Sequence, residues 1–182
     1  MRLDWKMTLV FDLETDGLLD RATRIHCIAI YDSETNETTA YNDECPGKGM
    51  SSPVVRAVQF LEQANSIVGH NIINFDLPII RRFYPFFNFT GTVVDTLILS
   101  RLYHNKLIDI DKKSRWKHMP PKLYGRHSLE SYGYRLGEYK GEFSKATDWK
   151  EWSQEMEDYC IQDVRVTTKL CDHFHPYLIG SR

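Results

Sequence analysis

The stretch Thr8-Leu9-Val10-Phe11-Asp12-Leu13-Glu14 decides the fold prediction, because it is apolar until two acids enter near its end. Such a run is typical of a central β-strand that is buried on both faces. Side chains two apart on a strand share a face, so Asp12 and Glu14 are predicted to point to the same side. Ligands of α/β sheets gather at the ends of such strands, so a candidate site is expected there.

Outward from this strand, the pattern predicts a single α/β domain over residues 1–182, with a mixed β-sheet flanked by helices. Further strands are expected at 25–31, 38–41, 66–69 and 93–95, and helices at about 53–63, 76–83, 96–103, 128–136 and 153–173. Ser128 and Ser153 are predicted N-caps. Residues 104–126 form a basic insertion, in which Pro120-Pro121 is expected to exclude regular structure.

Composition places the chain among soluble globular proteins, with 42% hydrophobic and 26% charged residues. No apolar run approaches the roughly 20 residues that span a bilayer, and residues 1–6 do not resemble a secretory signal. The cysteines are scattered without a Cys-x-x-Cys pair: Cys27, Cys45, Cys160 and Cys171. This spacing argues against a zinc knuckle and predicts free thiols in a reducing cytoplasm, with no membrane partner.

Charge is distributed unevenly along the chain. The net charge is −2, yet residues 104–126 carry seven Lys/Arg against two Asp, a local +5. The basic side chains at its centre are Lys112, Lys113, Arg115 and Lys117, with Trp116 and Tyr124 interleaved. A positive groove with aromatic faces is how proteins follow a single nucleic-acid strand, although a solvated surface loop has the same composition.

Asp12 and Glu14 are candidate ligands of a hard cation such as Mg²⁺ or Mn²⁺, which prefers carboxylate oxygens. The Asp-x-Glu spacing alone is weak, because a second pair, Asp32 and Glu34, falls in a polar turn. The position of Asp12 and Glu14 at the end of a buried strand is what distinguishes them.

Two further acids interrupt apolar patterns. Asp76 follows Asn71-Ile72-Ile73-Asn74-Phe75, where it is either a site residue or an acid favoured by the first turn of the next helix. Tyr159 and Asp163 lie four residues apart and therefore on one face of the last helix. A surface acid beside a half-buried tyrosine would give the same spacing.

Taken in order, Asp12-x-Glu14, Asn71-x-x-x-Phe75-Asp76 and Tyr159-x-x-x-Asp163 resemble the three motifs of the DEDD 3′–5′ exonucleases. Position 158 is Asp and not His, which indicates the tyrosine subclass. Residues 95–102 and 127–137 resemble the proofreading exonuclease domain of phage family A DNA polymerases. The resemblance extends over residues 7–175 and implies a ribonuclease H-like fold with two-metal phosphodiester hydrolysis, using Mg²⁺ or Mn²⁺.

The resemblance also implies roles for individual residues. Asp12 would bridge both metals, Glu14 and Asp163 would complete the site of the attacking water, and Asp76 would hold the second metal. Tyr159 would orient the water, because a phenol with a pKa near 10 is a poor general base.

Four residues form the expected substrate-binding set near these acids. The backbone of Thr15 would meet the terminal 3′-hydroxyl, and Leu18 would be an apolar wedge against the terminal bases, unless it is an ordinary loop leucine. Asn71 and Phe75 complete the set, with Asn71 expected to orient the backbone near Asp76. By contrast, Asp95 is expected to cap the following helix and His26 to be structural.

The function implied is release of nucleoside 5′-monophosphates from single-stranded DNA 3′ ends, in proofreading or DNA degradation during phage replication. A DNA polymerase is a candidate partner, and the host cytoplasm the location. The alternatives are an exoribonuclease or oligonucleotide hydrolase using the same four acids, and a nucleic-acid- or polymerase-binding module with a decayed site. All four acids and Tyr159 are present, which argues against decay.

Overall fold

A computed structural model describes residues 7–44, 53–114, 116–138 and 149–180 of the protein. Its strands are β1 (Thr8–Thr15), β2 (Ile25–Asp32), β3 (Glu37–Asn42), β4 (Ser66–Gly69) and β5 (Thr92–Asp95). They form one sheet in the order β3-β2-β1-β4-β5. Pairs β1–β2 and β2–β3 are antiparallel, whereas β1–β4 and β4–β5 are parallel. The mixed sheet with β1 at its centre is confirmed.

The helices are α1 (Pro53–Gln63), α2 (Asp76–Phe83), α3 (Thr96–Tyr103), α4 (Leu107–Ser114), α5 (Leu129–Leu136) and α6 (Gln154–Leu178). Ser128 and Ser153 are N-caps as predicted, since their side chains accept the backbone N–H groups of Ser131 and Met156. Helix α6 continues past the predicted end at His173. Pro176 lies in its last turn, and the missing proline N–H removes one backbone hydrogen bond there.

The expectation that Pro120-Pro121 excludes regular structure was wrong in part, because a 3₁₀ turn lies at Pro121–Leu123. The basic insertion also contains α4, which the sequence analysis did not predict. Helix α4 buries only Leu107 and Asp111, which are four residues apart, while Ile108 and Ile110 are 42% and 44% exposed. A charged residue occupies the buried face and isoleucines occupy the exposed one, so the apolar pattern does not show the helix. Proline fits the first position of the 3₁₀ turn.

Alternation along β1 determines which way the acids face. Leu9, Phe11 and Leu13 pack into the core that α1 and α2 cover on one face of the sheet. Val10 packs on the other face, in the core that contains Cys160 and Val164 of α6. Asp12 and Glu14 share the parity of Val10 and are therefore directed to the α6 face.

Three of the four cysteines lie in the described part of the chain. Cys27, Cys160 and Cys171 are buried free thiols, and Cys45 lies outside the described residues. Among the helices that the structure describes, none is long and apolar enough to cross a bilayer.

Candidate active site

A cleft of about 250 Å³ opens at the end of β1. Its lining consists of Asp12, Leu13, Glu14, His70, Asn71, Phe75, Asp76, Trp149, Tyr159 and Asp163. The four predicted acids thus come together from β1, the start of α2 and the middle of α6, and Tyr159 lies among them. No Lys or Arg occurs among these described lining residues, so the acids have no cation within the cleft wall.

A change in strand register follows directly after the two acids at the end of β1. Asp12 and Glu14 are half-buried, whereas Leu13 and Thr15 are buried between and beyond them. The pairing of β1 with β2 shifts between Glu14 and Thr15. Such an irregularity re-aims side chains at a strand end. The Thr15 hydroxyl then donates to the carbonyl of Gly17 at 2.7 Å and fixes the turn that follows.

A hydrogen bond from Cys160 joins helix α6 to β1 at the backbone of Asp12. The Cys160 Sγ donates to the backbone carbonyl of Asp12 at 3.3 Å, and its sulfur lies within 4.8 Å of carboxylate oxygens of Asp12 and Glu14. Burial raises the pKa of this thiol well above its usual value. A protonated thiol is a poor ligand for a hard cation, so Cys160 is assigned to the packing of α6 against β1 and not to a metal site.

Asp76 enters the cleft from a tight loop after β4. At Gly69, a Cβ would lie 2.1 Å from the Ile72 side chain and 2.9 Å from the Phe11 carbonyl, so only glycine allows this close approach. The Leu13 backbone N–H donates to the Asp76 carboxylate. The Asp76 Oδ1 is buried and has no hydrogen-bond partner among the described residues. An unsatisfied buried carboxylate oxygen fits a cation ligand.

Asp95 holds that loop in place. It caps α3 as predicted, by accepting the backbone N–H of Leu97 at 2.9 Å. It also accepts the backbone N–H of Asn71 at 2.9 Å and of Ile73 at 3.1 Å. Asn71 has a φ of 68°, a left-handed conformation that asparagine tolerates better than most residues. Asp95 therefore positions the loop that leads into Asp76.

Burial and like charge set the protonation of the acids. Burial raises the pKa of Asp12 well above its usual value, and the negative charges of Glu14, Asp76 and Asp163 add to the rise. Burial and then Asp163 do the same for Glu14. Burial also raises the pKa values of Asp76 and Asp163 to about 7. Hard oxygen donors that repel one another in this way fit divalent cations, which relieve the repulsion.

His70 does not supply the missing positive charge. Its Nδ1 lies 2.9 Å from the Thr96 Oγ1, and its ring also hydrogen-bonds the backbone of His127. Burial lowers the pKa of His70 to about 4, so the imidazole is neutral at physiological pH. It joins the cleft wall to α3 and to the residue before the N-cap of α5.

The family model of the RNase H superfamily matches residues 9–175 of the chain. The chain belongs to the RNase H superfamily. It is 32% identical to the DNA-directed DNA polymerase of Escherichia phage T7 in an alignment of 186 positions, which covers 90% of this chain and only 26% of the polymerase. The chain is thus a nuclease of this superfamily, and its resemblance to phage polymerase exonuclease regions is confirmed.

Solved structures show the same fold. NrnC of Brucella melitensis, bound to pGG, matches with a TM-score of 0.62 and 19% identity, covering 98% of this chain and 78% of that one. NrnC has also been solved with bound Mg²⁺, and this structure matches with a TM-score of 0.61 and 18% identity over 98% and 79% of the two chains. The E. coli ExoI–ssDNA complex matches with a TM-score of 0.55 and 18% identity, covering 96% and 42% of the respective chains.

Within this RNase H-like frame, the predicted substrate-binding residues divide into two groups. Asn71 and Phe75 line the cleft. Thr15 follows Glu14 at the end of β1 and is buried. Leu18 is 73% exposed on the next loop and lies outside the lining. The wedge role of Leu18 stays a prediction.

The basic side chains of the insertion are solvent-facing where the structure describes them. Lys112 and Lys113 are exposed in the last turn of α4, and Lys117 is exposed in the loop that follows. Arg115 lies outside the described residues. The Trp116 indole N–H donates to the buried Asp111 at 3.0 Å, which ties this aromatic residue to the protein interior.

Sequence patterns missed Trp149 and His70 as cleft residues. Trp149 lies just before the N-cap of α6, and its ring meets the Tyr159 ring edge-on at 6.1 Å between centroids. Neither residue belongs to a periodic segment. The available signal was position: His70 adjoins the Asn71 motif, and Trp149 precedes the helix that carries Tyr159 and Asp163.

In the absence of metal, the carboxyl of Asp163 is expected to make the protein less stable as the pH rises from about 4 to about 7. Its pKa is 3.8 ordinarily and about 7 in the fold, so the folded state keeps a proton that the unfolded chain has released. Stability is therefore lost through this window, by at most about 1.4 kcal/mol per pH unit for one carboxyl. Urea unfolding in a chelator at several pH values measures it.

The matched variants for this measurement lie on one helix. Asp163→Asn should reduce the fall in unfolding free energy, because the titrating group is gone. Asp158→Asn changes an exposed carboxyl of α6 and should keep the wild-type pH dependence. Equal pH dependence in both variants would contradict the assignment to Asp163.

Proposed function

We propose that the chain is a metal-dependent 3′–5′ exonuclease of the tyrosine subclass, which releases nucleoside 5′-monophosphates from single-stranded DNA ends. Proofreading or DNA degradation in phage replication is the proposed role, with a DNA polymerase as a partner and the host cytoplasm as the location. The observation that carries the proposal is the convergence of four acids and one tyrosine in a cleft whose described lining contains no Lys or Arg.

The acids would hold two divalent cations, Mg²⁺ or Mn²⁺, with ligands Asp12, Glu14, Asp76 and Asp163. When bound, these ions supply charge neutralisation at the scissile phosphate and a water of lowered pKa. The unpartnered Asp76 Oδ1 and the raised carboxyl pKa values support this assignment. The solved NrnC structure with Mg²⁺ supports Mg²⁺ as one of the ions.

Tyr159 would orient the attacking water. Burial raises the pKa of its phenol, and the negative charges of Asp163, Glu14 and Asp12 raise it further. The phenol thus stays protonated and hydrogen-bonds the Asp163 carboxylate. A fixed hydroxyl beside the acids can hold a water in line with the phosphate, but it cannot remove the water's proton.

Single-stranded DNA is the proposed substrate because the T7 relative is a DNA polymerase and ExoI was solved with ssDNA. Acids that bind metal ions at a phosphate do not distinguish ribose from deoxyribose. In addition, NrnC was solved with bound pGG. An oligonucleotide hydrolase that accepts RNA is therefore the second candidate.

The deciding experiment incubates the protein with single-stranded DNA and RNA, labelled at either end, with Mg²⁺, with Mn²⁺ and with chelator. The proposal expects metal-dependent release of mononucleotide from 3′-labelled DNA and a ladder from 5′-labelled DNA. Faster cleavage of RNA would favour the second candidate. Tight binding without cleavage in either metal would instead indicate a binding module.

The basic insertion of residues 104–126, called the basic segment below, is expected to contribute salt-dependent binding of a long single strand. Each phosphate contact releases counterions and adds about −0.7 to the slope of log affinity against log salt. Lys112→Gln/Lys113→Gln should therefore flatten the slope by up to about 1.4 and weaken binding at low salt. Fluorescence anisotropy of a labelled strand in EDTA, at several NaCl concentrations, measures both.

Arg56→Gln/Arg81→Gln is the matched control, since it removes two exposed charges from α1 and α2. It should leave the salt slope near that of the wild type. Cleavage of a two-nucleotide substrate should be unchanged in either variant, because the four acids are untouched. If both double variants alter binding equally, the basic segment is only a solvated surface.

A further inference from the structure

Two aromatic residues of the cleft lining, Phe75 and Trp149, have no role in the proposed chemistry of the acids. Phe75 and Trp149 line the cleft together with Tyr159. The acids and the tyrosine hydroxyl account for the phosphate and the water. A terminal nucleotide also carries a base, and an apolar aromatic face is the surface on which bases stack regardless of their identity.

The backbone at Trp149, a residue of the cleft lining, is hydrogen-bonded to side chains at the start of β2. Its backbone carbonyl accepts a hydrogen bond from the His26 Nε2 at 3.1 Å, and the next carbonyl, of Lys150, accepts one from the Arg24 guanidinium at 3.3 Å. Both donors precede or begin β2, beside the catalytic strand β1. His26, expected from sequence to be structural, is thus one of two anchors of this segment.

The indole itself is half-buried and fixed against Tyr159. The two rings lie 6.1 Å apart between centroids at an interplanar angle of 82°, an edge-to-face contact. Such a contact favours this relative orientation of the two rings. A platform that is already oriented loses little conformational entropy when a base binds, so its contact contributes fully to affinity.

We propose that the Trp149 indole is the stacking platform for the base of the 3′-terminal nucleotide, and that it makes the cleft select ends that carry a base over abasic ends. This inference rests on the proposed exonuclease function. It assigns substrate positioning to Trp149 and leaves the hydrolytic chemistry to the acids. Loss of one base–aromatic stack weakens binding by about 5- to 150-fold.

The test compares two single-stranded pentanucleotides that differ only in the 3′-terminal residue, one with a base and one abasic. Trp149→Ala should raise KM for the base-bearing strand by about 5- to 150-fold, with kcat within about threefold of the wild type. For the abasic strand, both constants should stay near the wild-type values. Trp149→Phe should recover part of the loss, because it restores an aromatic face.

Equilibrium binding supplies a readout that does not depend on hydrolysis. Anisotropy of the two pentanucleotides in EDTA should show the same base-dependent loss in Trp149→Ala. Glu151→Ala, an exposed neighbour on the same segment, is the control and should bind both strands as the wild type does. Equal losses on both strands would overturn the platform and assign the indole to support of Tyr159. The absence of any loss would overturn it too.

The two proposals fail in different ways. If the wild type cleaves neither strand in Mg²⁺ or Mn²⁺, the exonuclease function is wrong, whereas the anisotropy comparison still decides whether Trp149 binds the base. If the wild type cleaves both strands with equal KM and Trp149→Ala changes neither, the exonuclease stands and the platform is wrong. Thermal unfolding of each variant establishes that the compared proteins are folded.

Discussion

Asp163→Ala and Asp12→Ala are each expected to lower the rate of single-strand cleavage in Mg²⁺ by about 10³-fold or more. Both carboxylates line the cleft, and the described lining contains no lysine or arginine whose positive charge could replace that of a metal ion. If the acids hold metal ions as proposed, each substitution removes one metal ligand and weakens the binding of the ions on which cleavage depends. Initial rates on 3′-labelled single-stranded DNA measure the effect.

The fold should survive these substitutions. The negative charges of the neighbouring acids contribute to the raised pKa of Asp12. Deleting one acid therefore reduces the electrostatic repulsion in the metal-free protein, and its melting temperature should hold or rise. Asp158→Ala is the matched control, because Asp158 is exposed on the same helix as Asp163. A variant of Asp12 or Asp163 that keeps more than a small fraction of wild-type activity would remove that residue from the site.

Local signals account for the parts of the fold that the sequence predicted. The apolar run of β1 and its alternation placed Asp12 and Glu14 on one face. The serine N-caps of α5 and α6 marked where those helices begin. The i, i+4 spacing of Tyr159 and Asp163 then placed both side chains in the cleft. In each case the information lies within a few residues of the chain.

Contacts between distant segments account for what the sequence did not predict. Trp149 reaches the cleft because side chains near the start of β2 hold its segment, 123 residues away in the case of His26. Helix α4 escaped prediction because its buried face pairs Leu107 with a charged residue, Asp111. In sequence, Asp111 only lowers the positive charge of the basic segment. In the fold, its carboxylate accepts hydrogen bonds from Arg135, Trp116 and Gly125.

Asp111→Ala is expected to destabilise the protein by about 3–5 kcal/mol, because it leaves a buried cation without its partner. The Asp111 carboxylate is fully buried and accepts from the Arg135 Nε and Nη2 at 2.9 and 2.7 Å. It also accepts from the Trp116 indole at 3.0 Å and the Gly125 backbone at 2.7 Å. Urea unfolding measures the loss.

The control variants separate the ion pair from the helix that carries it. Asp109→Ala changes an exposed acid of α4 and should shift stability by no more than about 0.5 kcal/mol. Asp111→Leu/Arg135→Met removes both charges and should be more stable than Asp111→Ala, since no buried charge is left unpaired. Because Trp116 and Gly125 depend on Asp111 for their hydrogen bonds, Asp111→Ala should also flatten the salt dependence of strand binding. Wild-type stability of Asp111→Ala would show that the carboxylate does not organise the basic segment.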